Sequence, residues 1–494
     1  MLGEVAFAKQ KSITFFEGPL DKELENNLAL VPIDCRHNNH TIEIEFFDKD
    51  INQLLDKINI YIKEKNRSRL LTTIDIKNLS RGKVEFNLGQ VRLKNRTSFL
   101  LTALLASRPK YEIPFSFKLN YNGLSGTSPL YLIGYALRRA GDDNSKCYRI
   151  PALGVTNRGT LIAVYDVRYD GQVDLPNHID VGMSRSIDKG QSWQPMKIIM
   201  DMGNDPAFKG EGIGDPAILI DSISGRIWVA ALWSHGDNAW NKSGKGLEPE
   251  ETGQLMLVYS DDDGENWSAP INITKMVKKP EYHLFFQAPG CGITMKDGTL
   301  VFAAQYRDES DKKTPFSTII YSKDGGKSWK AGNGVRANTT ESQVVELEDG
   351  ILMINCRDDL NKMDKKRKVA GGRAIYISKD LGESWEKHSS SDWTLPEPNC
   401  QASLIKLDDS NLLFFNPNTH KDIGADQKGG GRRNYTLQLS RDLGKSWSKK
   451  IKFDDGYGRG YSSMAVLDEC LCIIYEGSKS DIFFQKILIS EVLK

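Results

Sequence analysis

Short apolar runs ending in serine recur through the C-terminal two thirds of the chain: Leu255-Met-Leu-Val-Tyr-Ser260, Thr318-Ile-Ile-Tyr-Ser322, Ala374-Ile-Tyr-Ile-Ser378 and Tyr435-Thr-Leu-Gln-Leu-Ser440. They are rich in β-branched and aromatic residues and run straight into turn formers, as strands entering hairpins do. The turns repeat one phrase, S-x-D-x-G-x-x-W, at Ser186–Trp193, Ser260–Trp267, Ser322–Trp329, Ser378–Trp385 and Ser440–Trp447, with starts 74, 62, 56 and 62 residues apart. Repetition in register marks a repeated structural unit. The Asp carboxylate can accept bonds from turn N–H groups, the Gly supplies positive φ, and the Trp can pack its ring across the hairpin. Five copies in five places do not converge on one site, so the phrases read as hairpin locks rather than catalysts. A period of about 60 residues holds four short strands, one propeller blade, and roughly six blades fit between Gly141 and Lys494.

The N-terminal part lacks the phrase. Its runs alternate, as in Thr41-Ile-Glu-Ile-Glu-Phe-Phe, Lys83-Val-Glu-Phe-Asn-Leu and Tyr111-Glu-Ile-Pro-Phe-Ser-Phe-Lys-Leu. Residues Ile51 to Lys65 have a period ambiguous between helix and strand. The expected organisation is all-β: a mobile lead over 1–20, a small β-sandwich over 21–132, and a six-bladed β-propeller over 133–494. The sandwich is either structural, including oligomer-forming, or an accessory glycan-binding module. Tyr121–Pro129, rich in Gly, Ser and Asn, reads as the linker.

A length of 494 residues suits two domains. With 66 basic and 65 acidic side chains, net +1, nothing points to nucleic acid or a membrane surface as partner. Seven scattered cysteines do not suggest a disulfide scaffold, and Cys470 and Cys472 read as buried thiols on one strand face. Cys35-Arg-His37-Asn-Asn-His40 lacks the second half of a zinc site, so no metal is expected. Gly210-Glu-Gly212-Ile-Gly214 has no βαβ context for a dinucleotide, and the basic run Lys362–Lys368 reads as a solvated loop. No apolar run is long enough to span a bilayer and no signal peptide is visible.

Tyr148-Arg-Ile-Pro-Ala-Leu153 followed by the repeated phrase resembles the bacterial sialidases (exo-α-neuraminidases), with their arginine motif and Asp boxes, over about Gly134 to the C-terminus. The resemblance is to the gut-bacterial type with a β-rich N-terminal domain. It implies a three-arginine clamp at Arg149, Arg357 and Arg432, the last standing eight residues before Ser440, with Arg433 as its adjacent alternative. It implies Asp174 as proton donor, Tyr461 as nucleophile, Glu341 as its base and Glu476 as the carboxylate that fixes Arg149. Arg168 and Asp215 resemble secondary substrate contacts. It implies no cofactor, sialylated glycoconjugates as partners, and a periplasmic or extracellular address.

The chemistry explains these residue types. Sialic acid carries a carboxylate on its anomeric carbon, and guanidinium groups bind carboxylates through paired, charge-assisted bonds. That carboxylate would repel an Asp or Glu nucleophile, whereas a neutral tyrosine hydroxyl avoids the repulsion. Tyrosine is weak at its ordinary pKa and needs a base in hydrogen-bond reach. The expected activity is hydrolysis of terminal α-linked sialic acid with retention, through a sialyl-tyrosine. Trans-sialidases and intramolecular trans-sialidases share these residues and differ in aromatic residues around the leaving group, for which Trp233, Trp240 and Phe285 are candidates. A sialic-acid lectin would lack the Asp, Glu or Tyr, all present here.

Overall fold

A computed structural model describes residues 12–33, 40–48, 50–64, 67–78, 82–88, 97–203, 211–361, 371–420 and 431–494. They are nearly all β, with two short α-helices at Thr274–Val277 and Ile489–Leu493. The chain divides into two compact units, residues 1–135 with 485–488, and residues 136–484 with 489–494.

The first unit holds two antiparallel sheets that contribute to one apolar core. One sheet runs Thr14–Phe15, Asn26–Pro32, Ser98–Leu105, Leu55–Glu64 and Arg67–Asp75, in that spatial order. The other runs Leu124–Thr127, Phe117–Tyr121, Thr41–Phe46 and Lys83–Asn87. Alternation sets the facing: Ile42, Ile44 and Phe46 are buried while Glu43 is exposed. The segment of ambiguous period resolves as a strand from Leu55, with Ile58, Ile60 and Ile62 in the core.

Two expectations need correction here. The lead expected over residues 1–20 is structured in part. Thr14 and Phe15 pair with Leu30 and Ala29, and the Phe15 ring packs on Phe117 at 5.8 Å, so apolar burial recruits this stretch into the sheet. Tyr121–Pro129 is largely a hairpin rather than a linker. Asn122 (φ 42°) and Gly123 (φ 84°) form the tight turn between Phe117–Tyr121 and Leu124–Thr127. Residues 1–11, Gly210 and the basic run Lys362–Lys368 lie outside the described residues, as do Cys35 and His37.

Six further sheets are present among the described residues, five of them wholly within the second unit. The first five begin with strands Cys147–Val155, Gly212–Ile220, Leu284–Gln287, Thr339–Glu348 and Ser403–Lys406. In each of these five, the serine of the repeated phrase ends the third strand: Ile179–Ser186, Gln254–Ser260, Pro315–Ser322, Ala374–Ser378 and Tyr435–Ser440. The phrase then leads into the fourth strand. The sixth sheet runs Ser462–Leu467, Cys470–Tyr475, Ile482–Leu488, Ile133–Arg138 and Leu20–Asp21, in that spatial order. Its fourth and fifth strands come from before the first sheet, so no hairpin is required after Ile482–Leu488, and no sixth phrase exists.

The phrases repeat one hydrogen-bond pattern. In the third copy, the Ser322 hydroxyl donates to Asp324 Oδ1 (2.8 Å) and accepts from the Gly326 N–H (2.8 Å). Asp324 Oδ1 accepts from the Ser328 N–H (2.9 Å) and Oδ2 from the Ser328 hydroxyl (2.6 Å). These bonds, led by the Ser328 hydroxyl, hold the exposed Asp324 carboxyl at about 2. The tryptophan rings reach beyond their own turn: Trp329 meets Trp228 of the preceding sheet edge-on at 6.1 Å, and Trp193 meets Phe484 at 5.3 Å. The phrase therefore joins neighbouring sheets as well as closing a hairpin. Gly326 shows the tightness of this packing. Its φ is +86°, and a Cβ there would lie 2.2 Å from the Trp228 ring.

Gly326→Ala is therefore expected to lower the unfolding free energy of this unit by about 1–3 kcal/mol, through overpacking and positive φ. Urea denaturation followed by tryptophan fluorescence checks this; an unchanged midpoint would contradict the packing described.

Candidate active site

Three of the site's residues sit at irregularities near the start of a sheet's first strand. The pairing of Cys147–Val155 with Leu161–Arg168 slips between Arg149 and Ala152, and Ile150 has φ +57°. The strand Gly212–Ile220 slips between Gly214 and Ala217, with Asp215 at φ +57°. The strand Thr339–Glu348 slips between Thr339 and Ser342, the interval that holds Glu341. A bulge re-aims a side chain out of the alternating pattern. A β-branched residue at positive φ, as at Ile150, is a strained position of the kind that clusters at functional sites.

A cavity of about 250 Å³ opens among these residues, lined in part by Asp174, Asp215, Glu341, Arg357, Asp359 and Tyr461. The Tyr461 hydroxyl donates to Glu341 Oε1, and Glu341 Oε2 accepts from Arg357 Nη1 at 3.0 Å. The guanidinium carbons of Arg149 and Arg432 lie 5.1 and 5.7 Å from the centre of the Tyr461 ring. Burial pushes the Tyr461 phenol well above its ordinary value, and the Glu341 charge adds to this against the opposing arginines. Free, the phenol is thus held neutral, with its proton directed at a carboxylate.

Arg149 is fixed from behind. Its Nε and Nη2 donate to the two oxygens of buried Glu476, at 3.0 and 3.2 Å. Glu476 also accepts the N–H groups of Ile150 (2.8 Å) and Tyr461 (3.1 Å). Burial opposes ionisation of Glu476, but Arg149 and these N–H donors outweigh it and hold the carboxyl below the ordinary 4.5. The remaining Arg149 donor, Nη1, reaches Asp174 Oδ1 at 3.3 Å.

Asp174 stands on the loop between Leu161–Arg168 and Ile179–Ser186, with its side chain 69% exposed. Its Oδ1 accepts from Arg168 Nη1 at 2.7 Å. The neighbours that crowd this exposed side chain partly desolvate it, which would raise its pKa, yet Arg168 and then Arg149 hold it below the usual carboxylate range. Arg168 is oriented by Asp166, which takes its Nε (3.0 Å) and Nη2 (2.7 Å) on one oxygen. The other Asp166 oxygen accepts the Asp215 N–H at 2.8 Å. Burial, then the neighbouring charges of Asp166 and Asp174, push the Asp215 carboxyl well up.

Arg432 donates to the carbonyls of Arg459 (2.7 Å) and Asn399 (2.8 Å). Its neighbour Arg433 turns away, donating to the Tyr457 hydroxyl at 3.0 Å. The adjacent arginines thus diverge, and Arg432 is the one beside Tyr461. Arg149, Arg168, Asp174, Asp215, Glu341, Arg357, Arg432, Tyr461 and Glu476 consequently form one connected set.

Of the aromatic candidates, Trp240 lines the cavity together with Leu175, Leu232 and Phe286. Trp233 packs on His235, and Phe285 is buried against Tyr306. Sequence reasoning passed over Asp166 and Phe286. Asp166 was signalled by its i, i+2 spacing to Arg168, which places both on one strand face. Among the described residues, no group of His, Cys, Asp and Glu is arranged to hold a metal ion.

Comparison with known proteins bears on this geometry. Residues 150–453 match the model of the BNR repeat-like domain. A sialidase of Bacteroides fragilis is 44% identical over 378 residues, 73% of this chain and 66% of the relative. A Paraclostridium sordellii sialidase is 32% identical, covering 68% of this chain and 82% of the relative. The solved structure of Hadza microbial sialidase Hz136 superposes with a TM-score of 0.84 at 35% identity, over 97% of this chain and 99% of that one.

Glu476→Gln is expected to cost about 3 kcal/mol at neutral pH by leaving Arg149 without its buried partner. Because the folded Glu476 pKa is depressed, the wild-type advantage is full above the ordinary value of 4.5 and disappears as pH falls through the folded value. Chemical denaturation of both proteins at pH 7 and at lower pH checks this; a stability gap that does not narrow in acid would contradict it.

Proposed function

The chain belongs to the bacterial sialidases, and on that footing we propose that it is an exo-sialidase releasing terminal α-linked sialic acid with retention, through a covalent sialyl-tyrosine. The observation that carries the reading is the Tyr461 hydroxyl donating to Glu341, with Arg149, Arg357 and Arg432 around the pair. A substrate carboxylate placed among the three guanidinium groups sets the anomeric carbon against the phenolic oxygen.

In the first step Glu341 takes the phenolic proton as Tyr461 Oη attacks the anomeric carbon, and Asp174 protonates the departing glycosidic oxygen. In the second, Asp174 takes a proton from water, the water oxygen attacks the same carbon, and Tyr461 leaves with the proton held by Glu341. Two inversions give retention. Asp215 and Arg168 belong to the same proposal, Asp215 as a substrate contact and Arg168 as the group that sets Asp174.

Asp174 begins this cycle in the wrong state, ionised and bound to Arg149 and Arg168. The substrate carboxylate resolves this by taking Arg149 for itself. Losing a cation and gaining an anionic neighbour both raise the Asp174 pKa, so binding loads the acid with its proton.

The six later sheets are read as the blades of a six-bladed β-propeller, residues 133–494, and the two N-terminal sheets, which Thr14–Phe15 extend beyond residues 21–132, as a β-sandwich accessory domain. Sialylated oligosaccharides, glycoproteins or glycolipids are the proposed substrates. A periplasmic or extracellular address belongs to the same reading. Among the described residues no helix is long and apolar enough to cross a membrane.

Incubation with a sialoside, followed by NMR of the first-formed anomer, tests the reading. The α anomer is expected first; no release would sink the activity, and the β anomer first would sink retention. Tyr461→Phe is expected to lower kcat by about 10³-fold or more with the fold intact by circular dichroism. Proton loading has its own signature. The descending, alkaline limb of kcat should lie at higher pH than that of kcat/KM, since the former reports the bound complex and the latter the free enzyme. Coincident limbs would contradict it.

A further inference from the structure

Arg149, Glu341 and Tyr461 each stand one to four residues ahead of a common buried hub, in which they take no part themselves. After Tyr461, the Ser462 N–H donates to Gln401 Oε1 (2.9 Å) and the Ser462 carbonyl accepts from Gln401 Nε2 (2.9 Å). A side-chain amide thus pairs with the main chain as a neighbouring strand would. After Glu341, Gln343 Nε2 donates to the carbonyls of Pro289 and Ser342, both at 2.9 Å, and its Oε1 accepts the Cys291 N–H at 3.2 Å. Gln401 Nε2 approaches the same Pro289 carbonyl at 3.4 Å. After Arg149, the Leu153 N–H donates to Ser463 Oγ at 2.9 Å. Cys291 Sγ lies 3.0 Å from that oxygen and 3.1 Å from the Leu153 carbonyl.

Gln343 and Gln401 are 2% and 1% exposed and do not line the cavity, so neither meets substrate. The hub also dictates its surroundings. Gly290 has φ +122°, and a Cβ there would lie 2.4 Å from Gln343 Nε2, so the approach of the two chains requires glycine.

We propose that Gln401 is a positioning residue for the Tyr461 nucleophile, and that Gln343 serves Glu341 in the same way, the two being tied at the Pro289 carbonyl. This rests on the sialidase reading of the site and goes beyond it. Tyr461 and Glu341 lie 120 residues apart on different sheets, yet their proton transfer needs a constant separation. A misplacement of about 1 Å at a reacting pair costs on the order of 10²-fold in rate. A neutral amide supplies one donor and one acceptor to the Ser462 main chain without adding charge beneath the phenol and its base. A charged clamp would disturb both their pKa values.

The test uses Gln401→Leu and Gln401→Glu in the full chain. Gln401→Leu keeps the approximate volume and removes both bonds to Ser462. Its kcat on a sialoside is expected to fall about 10²-fold with KM within about threefold, and amide exchange at Ser462 to accelerate at least about tenfold. In Gln401→Glu, the protonated carboxyl again offers one donor and one acceptor. Its kcat relative to wild type should therefore recover at low pH and fall as the carboxyl ionises, whereas a merely structural role would lower the melting temperature without a pH-dependent kcat ratio. A Gln401→Leu kcat within about twofold of wild type, or unchanged exchange at Ser462, overturns the proposal. Wild-type turnover tests the sialidase reading separately, and the exchange measurement reads the clamp whatever that turnover is.

Discussion

One buried carboxylate holds the second unit's site together. Glu476 is 1% exposed, and a charge so placed is costly unless its lone pairs are filled. Four donors fill them: two from Arg149 and the N–H groups of Ile150 and Tyr461. Those donors come from the first strand of the first sheet and from the segment that opens the sixth, more than three hundred residues away. A single group therefore fixes an arginine, the irregular backbone beside it and the main chain of Tyr461. The arginine's last donor is left for the cavity side, where Asp174 occupies it in the free state.

Much of this was legible in the sequence, and the reason differs by feature. The repeated phrase declared hairpins because serine, aspartate and glycine at fixed offsets satisfy a turn locally. The reach of its tryptophans was not legible, because Trp329 meets Trp228 only once the sheets are adjacent. In the first unit, Asn122-Gly123 carried a plain hairpin signal that the surrounding Gly and Ser masked as a linker. The strand at Leu55–Glu64 hid its period of two behind apolar residues on both faces.

At the site, Arg149 was indicated by Tyr148-Arg-Ile-Pro, while Tyr461 and Arg432 were indicated only through the family resemblance. What the motifs could not convey was how the side chains are aimed. Arg149, Asp215 and Glu341 lie where the strand register slips, and no periodic pattern describes such positions. Gln343 and Gln401 were invisible for a different reason. Their partners are main-chain atoms, so no second residue type accompanies them in the sequence.

The sixth sheet is unlike the others in drawing two strands from residues 20–21 and 133–138 and three from residues 462–488. The first two of these precede the rest by more than three hundred residues, and their pairing with partners so distant in the chain is the slow and entropically costly kind. Tyr461 and Glu476 arrive with those late strands. The residues of the other five sheets all precede Tyr461 and the carboxylate that steadies Arg149. Under the proposed function the site is therefore incomplete until the strands of the sixth sheet have paired, and competence comes with that pairing rather than by degrees.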